Sequence, residues 1–373
     1  MKLKWFVGVM LSASFVLGGS AQAQIKIGVA GPMTGPQAAF GAQLKNGVKL
    51  AVQNINAKGG VLGQKIEVEV GDDQADPKQG VSVANKFVGD GVTWIVGHFN
   101  TGVTIPASEV YADNGVILIT PSATNEKVTD RKLWNVFRTC GRDDQQAQVW
   151  ADFAASHFKG KKIAVVDDKT TYGQDIAKNT VAQLAKRGIT PDLMEGVNAG
   201  EKDYSSIVTK MKNKSIDLLI WGGLYTEAAL ILRQLRDQGM KTIMLSGDGI
   251  TSSDFATVGG DAVIGTQMTF PPKFENEPQN ADLVGQFKAM GFTPEGYTLF
   301  SYAAVQIFAQ AAEAAKSTDP QKMAEVMHSG MTFHTVRGDL AYDKKGDLTT
   351  IGYAIYTWRK GPDGKIDYYQ NSR

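Results

Sequence analysis

An α/β fold of two doubly wound lobes is predicted by three features of this 373-residue chain. Short β-branched runs alternate with segments of helical apolar spacing, the pattern of a parallel sheet covered on both faces. The alternation runs twice, over stretches of similar size. Apolar strands then empty abruptly into small polar turns, the place where open parallel sheets take up ligands.

The first series begins with the strand IKIGVA (25–30) and a helix over 38–57. QKIEVEV (64–70) is a strand, followed by a helix over 77–90 that Pro77 can open because a first-turn amide is dispensable. TWIVG (93–97) is a strand, 104–114 a helix, VILIT (116–120) a strand, and VFRTC (136–140) another. The second series has strands KKIAVVDD (161–168), IDLLIWGG (216–223) and KTIMLSGDG (241–249), with helices over 172–187 and 226–238. TFPPKF (269–274) is expected to be an extended crossover, since Pro271 and Pro272 cannot continue a helix. Segments 281–290, 298–315 and 320–327 are helical and are expected to return to the first lobe, with final strands over 351–359. The implied organisation is a leader at 1–23, a first lobe of 24–142 and 271–350, and a second lobe of 143–270 and 351–373.

The leader reading rests on Lys2 and Lys4, an apolar run over 5–18, and the small-residue site Ala21-Gln22-Ala23. This is the pattern of a secretory signal, and the run is too short to span a bilayer. Cleavage after Ala23 would leave a soluble periplasmic chain starting at Gln24. Of 39 basic and 38 acidic residues, the leader removes two basic ones and leaves a net charge of −1. That balance, with both signs mixed, gives no electrostatic footing for nucleic acid or anionic membrane. Cys140 is the only cysteine, so no internal disulfide can form, and a buried inert thiol is expected.

Catalytic signatures are missing. His98, His157, His328 and His334 show no metal-ligand spacing. GVAGPMTG (28–35) is not a dinucleotide fingerprint, and GGVLGQK lacks the spacing and the Ser or Thr of a phosphate loop. No G-x-S-x-G elbow occurs, so neither an enzyme nor a cofactor is expected. Two turns remain to be explained: HFNTG (98–102), and Ser122-Ala123-Thr124-Asn125 after ILITP. Short hydroxyls and amides at a helix start suit a carboxylate, and the acidic turn GDG (247–249) suits an ammonium group. Each turn alone also reads as an ordinary helix cap. Together, in an exported two-lobed chain, they describe an α-amino-acid site.

Several longer stretches carry a resemblance. GPMTGPQAAFG (31–41), DDQADPKQGVSVANKFV (72–88), VGHFNTGVTIPAS (96–108), ITPSATN (119–125), VVDDKTTYGQD (165–175) and WGGLYTEAALILRQ (221–234) resemble the periplasmic leucine/isoleucine/valine-binding proteins. These are solute-binding components of branched-chain amino-acid ABC importers. The likeness implies a type I binding-protein fold, with three crossovers near 141–143, 270 and 342–352 and a ligand cleft between lobes that closes by a hinge. It implies that Thr101 and Thr124, the latter in the Ser122-Ala123-Thr124 turn, hold the ligand carboxylate by hydroxyl and backbone amide. The Ser122 carbonyl, the Thr124 hydroxyl and Asp248 would hold the ammonium group. Tyr172 would close from the second lobe, and Phe40, Phe99 and Tyr297 would line the side-chain pocket.

Some members carry a disulfide at positions that here are Ala75 and Asn100, which makes Asn100 an added polar contact. Leu224 stands where many members place tyrosine. The implied function is capture of leucine, isoleucine or valine by a monomer that delivers it to a permease. An amide, urea or small-carboxylate ligand, or a sensor role on the same scaffold, is the alternative.

Overall fold

A computed structural model describes residues 24–371; the export signal expected at 1–23 lies outside them. Two sheets organise the chain. The first contains β1 (Ile25–Gly31), β2 (Ile66–Asp72), β3 (Trp94–Val96), β4 (Ile117–Thr120) and β5 (Val136–Arg138), ordered β2-β1-β3-β4-β5 and parallel throughout. Between them run α1 (Ala38–Ala57), α2 (Pro77–Gly89), α3 (Thr101–Asp113) and the single turn α4 (Lys127–Asp130). β3 and β4 are buried at every position, as strands covered on both faces must be.

The chain then leaves for the second sheet through α5 (Asp143–His157). There β6 (Ile163–Asp167), α6 (Thr171–Lys186), β7 (Leu193–Gly196), α7 (Ser205–Lys214), β8 (Leu218–Gly222), α8 (Tyr225–Asp237), β9 (Ile243–Ser246), α9 (Ser253–Gly259) and β10 (Gln267–Phe270) follow. It returns with α10 (Ala281–Ala289), α11 (Thr298–Ala315), α12 (Pro320–His328) and a small hairpin, β11 (Phe333–Thr335) and β12 (Gly338–Leu340). It crosses a last time to β13 (Ala354–Lys360) and β14 (Ile366–Gln370), which finish the second sheet in the order β14-β13-β10-β9-β8-β6-β7.

α11 packs on α1 and β3, where Phe308 stacks 5.5 Å from Trp94, and α12 packs on β4. TFPPKF departs from expectation. Gln267–Phe270 is a true strand, parallel to β9 and antiparallel to β13, and only from Pro271 does the chain leave the sheet. VFRTC is likewise strand only to Arg138; Cys140 is buried beyond it, its Sγ 3.6 Å from the Ala123 carbonyl. Burial pushes the thiol up to about 12, which keeps it inert. Among the described residues, no helix is long and apolar enough to cross a membrane.

Candidate functional site

A cavity of about 310 Å³ lies between the two sheets, at the small end of the roughly 300–1,000 Å³ usual for ligand sites. Its walls are strand ends and helix starts from both sides. α2 begins beside Ala75 and Pro77, α3 at Thr101-Gly102, and α6 at Thr170-Thr171-Tyr172. Leu224 precedes α8, and Asp248 follows β9.

The α3 start is earlier than spacing indicated, and the difference matters. Val103 and Thr104 turn their amides back to the Asn100 carbonyl at 3.1 and 2.8 Å, leaving the amides of Thr101 and Gly102 to head the helix. A helix head with its positive dipole end favours an anion. The preceding turn is braced from behind. Thr104 and Thr120 donate to the His98 carbonyl at 3.2 and 2.9 Å, and Ser122 Oγ donates to the Phe99 carbonyl at 3.0 Å. The His98 ring lies wholly buried between Asp73 (2.7 Å) and Tyr111 (3.1 Å), a structural place away from the cavity.

Asp248 faces the helix heads from the other sheet. It is 3 % exposed, and the Tyr172 hydroxyl donates to its Oδ1 at 3.3 Å. Burial raises its carboxyl to about 6, against the opposing help of Gln146, Tyr297 and Tyr172. Asp143 is fully buried, with neither carboxylate oxygen hydrogen-bonded; burial, then the charges of Asp248 and Glu126, push its pKa well up.

The apolar wall is aromatic. Phe99 meets Tyr297 edge-on at 5.4 Å, and Leu224 faces the same space. Phe40 does not reach the cavity: it is fully buried and stacks on the back of Phe99 at 4.1 Å. Thr101, Asn100, Ser122, Tyr172, Asp248, Phe99, Leu224 and Tyr297 are thus brought together, whereas Phe40, Ala123 and Thr124 are not on the wall.

Arg138 lies behind the turn that holds the last two. This fully buried guanidinium donates to the carbonyls of Ala123 (2.9 Å) and Asn125 (3.0 Å) and to Thr129 Oγ1 (2.6 Å), pinning the turn that follows Ser122. Asp347 balances its charge at 2.8 Å. The Thr124 carbonyl is taken by the Asp143 amide at 3.0 Å. Sequence reasoning missed Gln37, whose Oε1 accepts from Asn100 at 2.8 Å, and also Lys169, Thr170 and Thr171. The last three follow β6 as the two polar turns follow β3 and β4, so the same rule of strand ends could have found them.

Hydrogen bonds close the cleft rim. Tyr225 Oη donates to the Pro36 carbonyl (2.7 Å), and the Ser253 amide to Glu295 (2.9 Å). Asp175 accepts from Asn125 (2.8 Å) and Lys127 (3.0 Å).

Known proteins fit this geometry. The sequence profile of the periplasmic binding protein family matches residues 24–364. "Leu/Ile/Val-binding protein homolog 1" of Brucella melitensis is 52 % identical over 370 residues, covering 99 % of this chain and 100 % of that protein. "Amino acid binding protein" of Pseudomonas aeruginosa is 45 % identical, covering 96 % of each. Among solved structures, a leucine-binding protein of Thermotoga maritima superposes with a TM-score of 0.83 at 26 % identity, over 92 % of this chain and 97 % of that one. With two parallel-sheet lobes, a cleft between them and a match along nearly its whole length, the chain belongs to the periplasmic binding protein family.

Proposed function

We propose that the chain captures a branched-chain aliphatic amino acid (leucine, isoleucine or valine) and delivers it to an ABC permease. The observation that carries this is the pairing of the Thr101-Gly102 helix head with the buried Asp248 carboxylate across one small cavity. The helix head takes the ligand carboxylate and Asp248 its ammonium group. Phe99, Leu224 and Tyr297 take the aliphatic side chain. Such a wall separates ligands differing by one methylene by only about 1–3 kcal/mol, so the three amino acids overlap in affinity. The names of the relatives support the ligand class. The export pattern at 1–23 supports a periplasmic site of action for a monomer starting at Gln24.

The test is calorimetric titration of residues 24–373, stripped of carried-over ligand by unfolding and refolding, against the twenty amino acids, urea and a short-chain amide. Tight binding of leucine, isoleucine or valine is expected. Heat from an amide or another small solute, with silence from every amino acid, would keep the cleft and overturn the ligand class. Amino-terminal sequencing of the exported chain is expected to begin at Gln24.

A further inference from the structure

Gln43, in the second turn of α1, is fully buried and stands behind the cavity wall rather than on it. Its contacts fix which way its amide points. A backbone N–H can only donate, and that of Tyr297 donates to Gln43 Oε1 at 2.9 Å. Nε2 is therefore turned the other way, towards a carboxyl and a carbonyl. It donates to Glu295 Oε1 at 3.3 Å and reaches the Thr251 carbonyl at 3.5 Å.

These partners come from both lobes. Glu295 and Tyr297 stand just ahead of α11, which packs on α1 in the first lobe. Thr251 lies between β9 and α9 in the second, and its hydroxyl donates to the Asp248 carbonyl at 2.7 Å. One buried amide thus connects the backbone of a cavity-wall tyrosine with the turn that carries Asp248. The bond from the Ser253 amide to Glu295 Oε2 runs beside it between the same two lobes. The approach leaves no spare room. Gly296 has φ +48°, and a Cβ there would sit 2.6 Å from Gln43 Oε1 and 2.7 Å from the Thr251 carbonyl oxygen. A residue without Cβ is what lets the second-lobe turn come this close to the head of α11.

We propose that Gln43 is a positioning residue that sets the two halves of the site in register when the lobes close: Oε1 fixes Tyr297 in the aliphatic wall, and Nε2 seats the Thr251 turn, and with it Asp248, opposite that wall. The inference rests on the proposed reading, in which Asp248 takes the ligand's ammonium group and Tyr297 its side chain. The rim bonds join surfaces, whereas Gln43 joins the backbones that carry two ligand-facing side chains. Opening of the lobes parts Nε2 from Thr251 and leaves the Tyr297 bond intact. The bridge therefore acts once the ligand is inside, on release rather than on association.

The experiment is stopped-flow measurement of leucine association and release with the full mature chain, Gln43→Glu, Glu295→Ala and the double variant. Gln43→Glu keeps an acceptor for Tyr297 but sets a carboxyl against Glu295 and the Thr251 carbonyl. It is expected to speed release about tenfold, the effect of leaving a buried polar group unpaired, with association within about twofold. Glu295 supplies part of that repulsion, so the same substitution made in Glu295→Ala is expected to speed release only about threefold. A residue that merely packs α1 against α11 would have the same effect in both backgrounds.

Release unchanged in Gln43→Glu, or accelerated equally in both backgrounds, would overturn the proposal. Should Gln43→Glu not fold, Gln43→Met, which keeps the volume and loses both bonds, decides: faster release at unchanged association supports the bridge, and unchanged release overturns it. An unsubstituted chain that binds no leucine sinks the ligand reading and this inference with it, whereas leucine binding with either overturning result sinks this inference alone.

Discussion

Under the proposed assignment, Asp248 is expected to set a pH limit on binding. Its carboxyl is raised to about 6, so ionising it costs stability as pH climbs from 3.8 towards 6. An ammonium group pairs only with the ionised form. Affinity is therefore expected to hold above pH 6 and to fall about tenfold per unit below it, which calorimetry at pH 5 and pH 8 would read. Asp248→Ala removes one half of a buried charge pair and is expected to cost about 3–5 kcal/mol of binding; unchanged affinity would detach Asp248 from the ammonium group. The turns carrying Thr101, Ser122 and Asp248 were legible because they follow strand ends, a property of order along the chain, whereas Tyr172 came from the family resemblance alone. Phe40 stacks behind Phe99, and a one-dimensional pattern does not tell the surface of a cavity from the layer behind it.

At the scale of elements, the parallel core announced itself and the edges did not. β3, β4 and β8 are wholly buried and read as unbroken apolar runs. β7 is an edge strand, half-buried and carrying Glu195, and α7 is a polar helix, SSIVTKMKNK; neither has the periodicity that betrays a core element. β10 was obscured by the two prolines behind it, although they lie just past its last paired residue. Arg138 was equally hidden, since an arginine inside an apolar strand looks like a chain end. It holds the 123–125 turn, so Arg138→Met is expected to destabilise the fold by about 1–3 kcal/mol through the Ala123 and Asn125 carbonyls left unpaired, while Asp347 keeps Arg142 at 2.7 Å. A denaturant midpoint shifted down at constant slope would show it. An unchanged midpoint would mean the turn needs no such brace.

The whole molecule is a clamp held shut at its rim. Tyr225, Ser253 and Asp175 each reach across without lining the cavity. Asp175→Ala is expected to speed ligand release several-fold by removing the Asn125 and Lys127 bonds, which stopped-flow displacement would read; an unchanged release rate would mean the rim adds nothing. Leucine is expected to compact the protein, and small-angle scattering identical with and without saturating ligand would refute closure. The connectivity also imposes a timetable. α1 is packed under α11, and Asn54 bonds Tyr302 at 3.0 Å across 248 positions of chain. The second sheet draws most of its strands from one continuous stretch, while on one face of the first sheet α1 covers β1 and β2 and the part over β3 and β4 waits for α11. Contacts so distant in sequence close slowly. A newly made chain therefore passes through a stage with half of it folded and part of an apolar sheet face uncovered, and that interval is when it can still be threaded through a narrow channel or lost to aggregation.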